Sequence, residues 1–357
     1  MDARVSPGVT RNRGPGKADV PISNSVRECS VRILVTGGTG FTGSHLVRRL
    51  VGRGHSVVCL DNQPGLFADE LRELGAEVVL GSVTDREVVR RTADGAEIVH
   101  HVAAAFRRLD VPKSVYFDVN VTGTRNVLEA ARDGGARRVV YCSTQGVHGH
   151  VEDPPGDEAS PIAPEDYYQQ TKYEGELVCQ EFIRDGMNIA IVRPTAIYGP
   201  GDPARFLMLF RMARKGRFLM FGDGETTYHP VYIDNLVDLF ELAAERTEAS
   251  GQTYIGGDAE YYTLNDLVRA VGRAMDLDVN IVHLPFRPLW LAAVACETAC
   301  APLRISPPLF RRRVDWFRQV RAFRIDRARD ELGYEPKIGI DEGLKRTYHW
   351  YRENGYM

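Results

Sequence analysis

The run VRILVTGGTGFTGSHL, residues 31–46, joins signals that restrict one another. VRILVTG is an unbroken apolar, β-branched stretch that stops on glycine, and SHLVRRLVGRG beyond it has helical spacing. Between the two, Gly37, Gly40 and Gly43 stand three residues apart. Few folds hold a buried strand that turns through glycine straight into a helix. The rhythm then repeats. HSVVCLD is a second strand, LFADELRELG a helix, AEVVLG a third strand and AEIVHHVAA a fourth. VTGTRNVLEAARDGG is a helix, ARRVVYCST a fifth strand, EDYYQQTKYEGE the start of another helix, and MNIAIVRPT a sixth strand. Strands separated by helices pair in parallel, and parallel strands buried on both faces read as continuous apolar runs.

The pattern predicts an α/β fold: a Rossmann doubly wound parallel sheet with a smaller, mainly helical C-terminal substrate domain. A chain of 357 residues exceeds what one core usually organises. Residues 31–195 are expected to form the nucleotide-binding domain. After Thr195 the rhythm changes, and 196–357 is expected to bind substrate, with 230–257 returning to the first domain. Residues 1–30 lack the apolar run of a signal peptide, and their Pro, Gly, Ser and Arg content predicts a disordered lead-in or a start codon placed too early. LWLAAVACETACAPL, 289–303, is membrane-like but too short to span and carries Glu297, so a buried or amphipathic helix is expected, with no membrane span. A formal charge of −3 gives no electrostatic case for nucleic acid. Six scattered cysteines without a CxxC predict reduced thiols, a cytoplasmic location and no metal site.

The glycine spacing suits a pyrophosphate, which needs backbone N–H groups aimed at it from a helix N-terminus with no side chain in the way. Gly37 turns the chain, Gly40 permits close approach, and Gly43 lets helix and strand pack tightly; Thr39, Phe41 and Thr42 complete the loop. Asp61 closes the second strand, where a carboxylate can accept bonds from the adenosine ribose and repel a 2′-phosphate. Asn62 and Gln63 follow it with no arginine, so NAD is expected over NADP. GSVTD, with Ser82 and Val83, follows the third strand where adenine should lie.

In EDYYQQTKYEGE, Tyr168 and Lys172 are four apart and share a helix face. A tyrosine with a pKa of about 10 is a poor acid–base group until a nearby positive charge favours its phenolate. Tyr167 would need a lysine where Thr171 stands, and Tyr173 points off the face, so Tyr168 is the candidate.

With these residues in place, the chain from Val31 to its C-terminus resembles the extended short-chain dehydrogenase/reductases, in particular their NAD-dependent epimerase/dehydratase branch. The resemblance rests on TGGTGFTG, Asp61, HHVAAA, NVTGTRNV, VYCSTQGVHG, YQQTK, RPTAIYGPGD, VYIDNL and LGYEP. It implies Tyr168 as acid/base, Lys172 on the nicotinamide ribose, and Thr144 bonding the reacting oxygen. It also implies a cofactor cleft lined by Ala103, Ala104, Ala105, Asn120 and Ser143, with Pro194 near the nicotinamide.

The chain departs from that family in places. Gln145 and Gly146 stand where sugar 4,6-dehydratases carry two acids, which argues against dehydration, and a small Gly146 leaves room for a substrate ring. His148 replaces a tyrosine, and Ser82 an adenine-binding aspartate. Tyr228 occupies the place of a pyrophosphate-binding arginine; Arg312 or Arg313 could supply a second one. Phe218 lies in RFLMFGDG, similar to the strand that stacks on the nucleotide base in sugar epimerases. The expectation drawn from this is an NAD-dependent epimerase acting on a small molecule, a nucleotide sugar. A 3β-hydroxysteroid or sterol-type dehydrogenase is the first alternative, and a non-catalytic NAD sensor the remote one. The family also implies a homodimer through the helices within 111–134 and 164–186.

Overall fold

A computed structural model describes residues 30–106, 111–202, 205–300, 302, 305 and 307–357. The lead-in expected at 1–30 lies outside them except for Ser30.

Six strands come from the repeating units: β1 (Arg32–Thr36), β2 (Ser56–Asp61), β3 (Glu77–Leu80), β4 (Ile98–His101), β5 (Arg138–Cys142) and β6 (Ile189–Pro194). A seventh, Thr253–Gly256, returns from the C-terminal half to pair with β6. The sheet runs Thr253–Gly256, β6, β5, β4, β1, β2, β3, and every neighbouring pair is parallel. Successive side chains leave a strand on opposite faces. Leu34, Val58, Val99, Val139 and Ile191 therefore pack with Val127, Leu128, Val178 and Phe182 on one side. Ile33, Val35, Val57, Val140 and Val192 pack with Leu46, Leu50, Leu236 and Phe240 on the other. Each aliphatic side chain fully removed from water in this way contributes roughly 1.5–3 kcal/mol.

From β1 the chain winds outward through β2 to β3, then crosses back to lay β4 on the other side of β1. The carboxyl ends of β1 and β4 thus diverge into opposite windings and leave a crevice, the usual ligand position in such sheets.

One helix was not evident from the sequence: Arg86–Ala93, between β3 and β4. Its buried face is only Val89, Thr92 and Ala93, too small to stand out among charges. Asp85 caps it by accepting from the N–H of Glu87 (3.0 Å) and Val88 (3.2 Å). In the C-terminal half, Arg217–Phe221 pairs in parallel with Asn280–Leu284, and helices occupy 205–213, 264–274, 286–300 and 340–353. Among the described residues no helix is long and apolar enough to cross a membrane.

Candidate active site

The predicted cofactor residues lie at the carboxyl ends of the sheet strands or in the loops and helices that follow them. After β1, the chain turns at Gly37, whose φ of +70° suits glycine and whose absent Cβ would meet the Ala103 nitrogen at 2.7 Å. A Cβ on Gly43 would stand 2.1 Å from the Gly37 carbonyl oxygen, so only glycine lets helix α1 (Phe41–Gly52) start this close to β1. Gly40 is the N-cap and offers no side chain to that helix end, leaving its first N–H groups for an anion. Phe41 and Thr42 are half-buried in the first turn. Asp61 accepts the Thr39 N–H at 3.1 Å, which ties the glycine loop to the end of β2, and Asn62 beside it is exposed. The Ser82 and Thr84 hydroxyls bond each other at 2.8 Å, while Val83 is buried and its carbonyl accepts from Asn126.

Buried side chains hold the loop after β4. The Thr124 hydroxyl donates to the Asn120 carbonyl (2.7 Å), so His101 Nε2 must donate to Thr124 (3.0 Å). His101 Nδ1 therefore accepts from the Thr36 hydroxyl (2.7 Å), whose oxygen takes the Ala103 N–H. Burial holds His101 neutral, with its pKa pushed down to about 3. Ala104 is half-buried. Asn120 sits in a five-residue π-helical turn, Asp118–Thr122, and is fully buried. It accepts from Ala105 N–H at 2.8 Å and donates to the Thr171 hydroxyl at 3.0 Å, clamping the β4 loop to the helix Tyr167–Arg184.

That helix begins with a capping box. Asp166 accepts the Gln169 N–H at 2.9 Å, while the Gln169 side chain accepts the N–H groups of Glu165 and Asp166. The box fixes Tyr168 in the first turn, half-buried, with its ring edge-on to Phe106 at 5.0 Å. One turn later Lys172 is wholly buried. Its ammonium lies 4.2 Å from the centre of the Tyr141 ring, yet Nζ has no hydrogen-bond partner among the described residues. Burial lowers its pKa. A buried donor without an acceptor is costly. The hydroxyls of a nucleotide ribose are the kind of acceptor it lacks. Together with the side-chain-free helix start and the Asp61 carboxylate, this orphaned ammonium makes the residues present fit NAD.

Thr144 follows β5 in extended backbone, half-buried, and its Oγ1 accepts the Gly146 N–H at 3.0 Å. A Cβ at Gly146 would come within 3.1 Å of the Gln169 side chain and 3.2 Å of Thr144 Oγ1. The space beside Gly146 is therefore filled by the cap of the Tyr168 helix rather than left for a substrate ring. Gln145 is buried, with its amide oxygen unpartnered among the described residues. Pro194 ends β6 opposite Gly256 and is buried.

Beneath this turn lies a network that the sequence reading did not find. Ser143 Oγ donates to Glu176 Oε1 at 2.5 Å. The Arg193 guanidinium grips the same carboxylate with two bonds, 2.9 and 2.6 Å. A third Arg193 nitrogen donates to His148 Nε2 at 3.0 Å, and His148 Nδ1 donates to the carbonyls of Ser160 and Pro161. Burial, then the neighbouring guanidinium, lowers the His148 pKa. Glu176 lies four residues beyond Lys172, and Arg193 immediately precedes Pro194.

The remaining substrate-side residues do not converge. Phe218 is 1% exposed and faces the core, as its two-residue alternation with the exposed Leu219 requires. Tyr228 is 2% exposed and packs edge-on to Trp316. Arg313 donates to the Pro308 carbonyl and to Met208 Sδ, each at 3.3 Å. Arg312 faces Asp166 Oδ2 at 2.9 Å as an ion pair, though not aligned as a hydrogen bond. Arg312 and Asp166 help line a cavity of about 440 Å³ with His150, Glu165, Gln169, Asp315, Arg318, Gln319 and Arg321. Arg318 pairs with Asp315 at 2.6 Å, while Gln319 bonds both Glu165 and Arg321. Three arginines and three carboxylates line this cavity, which is therefore charge-balanced.

Comparison with known proteins matches residues 33–256 to the sequence model of the NAD dependent epimerase/dehydratase family. A 2-alkyl-3-oxoalkanoate reductase of Stenotrophomonas maltophilia is 30% identical over 327 residues, covering 88% of this chain and 98% of the relative. A 3β-hydroxysteroid dehydrogenase/Δ5→4-isomerase of Mycobacterium tuberculosis is 31% identical over 337 residues, 90% of each chain. The solved UDP-glucose 4-epimerase of Thermotoga maritima superposes with a TM-score of 0.73 at 27% identity, covering 91% of this chain and 99% of that one.

Proposed function

The chain belongs to the NAD dependent epimerase/dehydratase family, an enzyme family that uses NAD, and from that premise we propose that it interconverts a secondary alcohol and its ketone on a substrate that carries no diphosphate. The observation that carries the substrate class is the charge balance beside the Tyr168 helix. A diphosphate needs cations left over after the protein's own acids are matched, preferably as guanidinium forks. Here Arg312 and Arg318 face Asp166 and Asp315, the third cavity arginine, Arg321, and the third carboxylate, Glu165, both bond Gln319, and Arg313 lies outside the cavity lining on a carbonyl and a thioether. The alkanoate reductase and hydroxysteroid dehydrogenase relatives, each matched along most of the chain, support the same reading.

In this reading the glycine loop and the start of α1 hold the pyrophosphate, Asp61 the adenosine ribose, and Lys172 the nicotinamide ribose. NAD, when bound, accepts or returns the hydride at the carbinol carbon. The Tyr168 phenolate takes the proton of the alcohol oxygen, and in the reverse direction the phenol returns it to the ketone oxygen, while Thr144 donates a hydrogen bond to that oxygen. Lys172 stabilises the phenolate by its charge. Asn120 positions Tyr168 through the Thr171 contact, and Glu176 with Arg193 fixes the Thr144 turn from below.

The polar cavity wall, with Gln169 and Gln319 among its residues, favours a second reading: a sugar epimerase in which the ketone turns in the site before reduction. The test is a substrate panel followed by NADH absorbance and by chiral product analysis. Net NADH formation with hydroxysteroids or long-chain 3-hydroxy compounds, abolished in Tyr168→Phe, is the expected result. Inversion of a nucleotide sugar without net NADH would replace this reading with the second.

A further inference from the structure

Phe106 stands against the Tyr168 ring and has no part in the chemistry assigned so far. It comes directly after Ala103, Ala104 and Ala105, which carry nothing longer than a methyl group, and is the first large side chain of the loop that follows β4. Its ring meets that of Tyr168 edge-on, with 5.0 Å between centres and 80° between planes, and the residue is 51% exposed. A single half-exposed phenylalanine is ordinary on a protein surface. What sets this one apart is how firmly the chain beneath it is tied to the helix of Tyr168. Asn120 accepts the Ala105 N–H at 2.8 Å and donates to the Ala105 carbonyl at 3.3 Å. Its other amide hydrogen goes to the Thr171 hydroxyl at 3.0 Å, and that hydroxyl donates to the Tyr168 carbonyl, also at 3.0 Å. One fully buried side chain thus joins the backbone under both rings, and a satisfied buried network of this kind holds a single geometry.

Proton transfer requires the alcohol oxygen to come within about 3 Å of the Tyr168 phenol oxygen. The carbon substituents of that alcohol then lie beside the ring that packs on Tyr168. Phe106 can offer them neither a hydrogen bond nor a charge, only apolar surface withdrawn from water on both partners, worth about fourfold in affinity for each methylene covered. A hydroxylated sugar carbon gains little from such a wall; an alkyl or alicyclic carbon gains the whole of it.

Resting on Tyr168 as the proton carrier, we propose that Phe106 determines specificity by covering an apolar substituent on the reacting carbon. The full-length protein would be assayed by NADH absorbance on hydroxysteroids and on 3-hydroxy esters whose alkyl arm grows from methyl to undecyl. Wild-type kcat/KM should climb by about fourfold per methylene over the first few carbons. Phe106→Ala should flatten that climb, so that long-chain esters lose about tenfold or more, mainly through KM, while the methyl compound loses about threefold or less. Phe106→Leu should restore most of the climb, since it returns apolar surface without an aromatic ring. NAD affinity by calorimetry, within a few fold of wild type in both variants, checks folding. Equal losses on short and long esters would show that the ring only steadies Tyr168 and would overturn the proposal, as would unchanged kcat/KM throughout; the reaction assigned above survives either result. A wild-type enzyme that oxidises no compound of the set overturns that assignment and this one together.

Discussion

The two sides of the site are built by opposite means. On the cofactor side, polar groups are buried and held by one another: Thr36, His101, Thr124 and Asn120 form one chain of bonds, and Ser143, Glu176, Arg193 and His148 another. On the substrate side, Arg318–Asp315 and Arg311–Glu297 lie near water, and the helix Phe286–Cys300 beside them leaves apolar residues uncovered. Buried networks impose one geometry because each missing partner is costly; surface pairs impose little. A cofactor common to a family suits the rigid side. Substrates that differ among its members suit the other.

Four experiments break or sharpen that contrast. The largest effect is expected from Tyr168→Phe, which should lower kcat by roughly 10²–10⁴ while leaving NAD affinity within a few fold, because it removes the proton carrier alone. A fully active variant would end the assignment. Glu176→Ala comes next. Glu176 and Arg193 have side chains only 4% and 7% exposed, so the variant strands a buried guanidinium and should cost about 3–5 kcal/mol in urea unfolding. A loss below about 1 kcal/mol would show that the network is not under the tension its burial implies.

Acid gives the third. Burial pushes His100 and His101 down to about 3 and His229 to about 4, against an ordinary 6.5. Below pH 6.5 the unfolded chain binds protons that the folded chain refuses, so stability is present above that pH and drains away as pH falls toward 4. Asp258 works the other way: burial raises it to about 7, so the fold keeps a proton that the unfolded chain has released. His148, also lowered, adds to the loss, while Glu158 and Glu241, raised by burial, offset it, leaving a net loss on the order of 1–3 kcal/mol per pH unit between 6 and 4.5. Stability that rises over that interval would contradict the burial of these histidines. The smallest effect is reserved for Arg312→Ala, expected to change KM by less than about fivefold and stability by under about 1 kcal/mol. A diphosphate clamp would lose a charged hydrogen bond worth about 1.5–3 kcal/mol, and KM would report it.

The same contrast explains what could be read without coordinates. β1, β5 and β6 announce themselves because both faces are buried, so apolar residues run unbroken. The Gly37–Gly43 loop is legible because backbone contacts at 2.1 and 2.7 Å exclude every other residue type. Tyr168 and Lys172 are four apart on one helix, a spacing sequence displays directly. The bonds joining Glu176, Arg193 and His148 were hidden because the partners lie 17 and 45 residues apart, and only sheet packing joins them. The direction of Phe218 depended on which face of Arg217–Phe221 meets the core, which an isolated strand with apolar residues on both sides does not declare. The exposure of Phe286–Cys300 was equally unreadable, since its composition suits a buried helix as well as an uncovered one.

The central claim is an NAD-linked alcohol–ketone conversion with net release of reduced cofactor, and nicotinamide exchange tests it most directly. The purified, extensively dialysed protein would be denatured and its released nicotinamide quantified. A dehydrogenase that trades NADH each cycle predicts a largely empty site that refills reversibly with added NAD. Near-stoichiometric NAD surviving dialysis would contradict the account, because a cofactor that never leaves is the mark of an enzyme that takes back every hydride it removes.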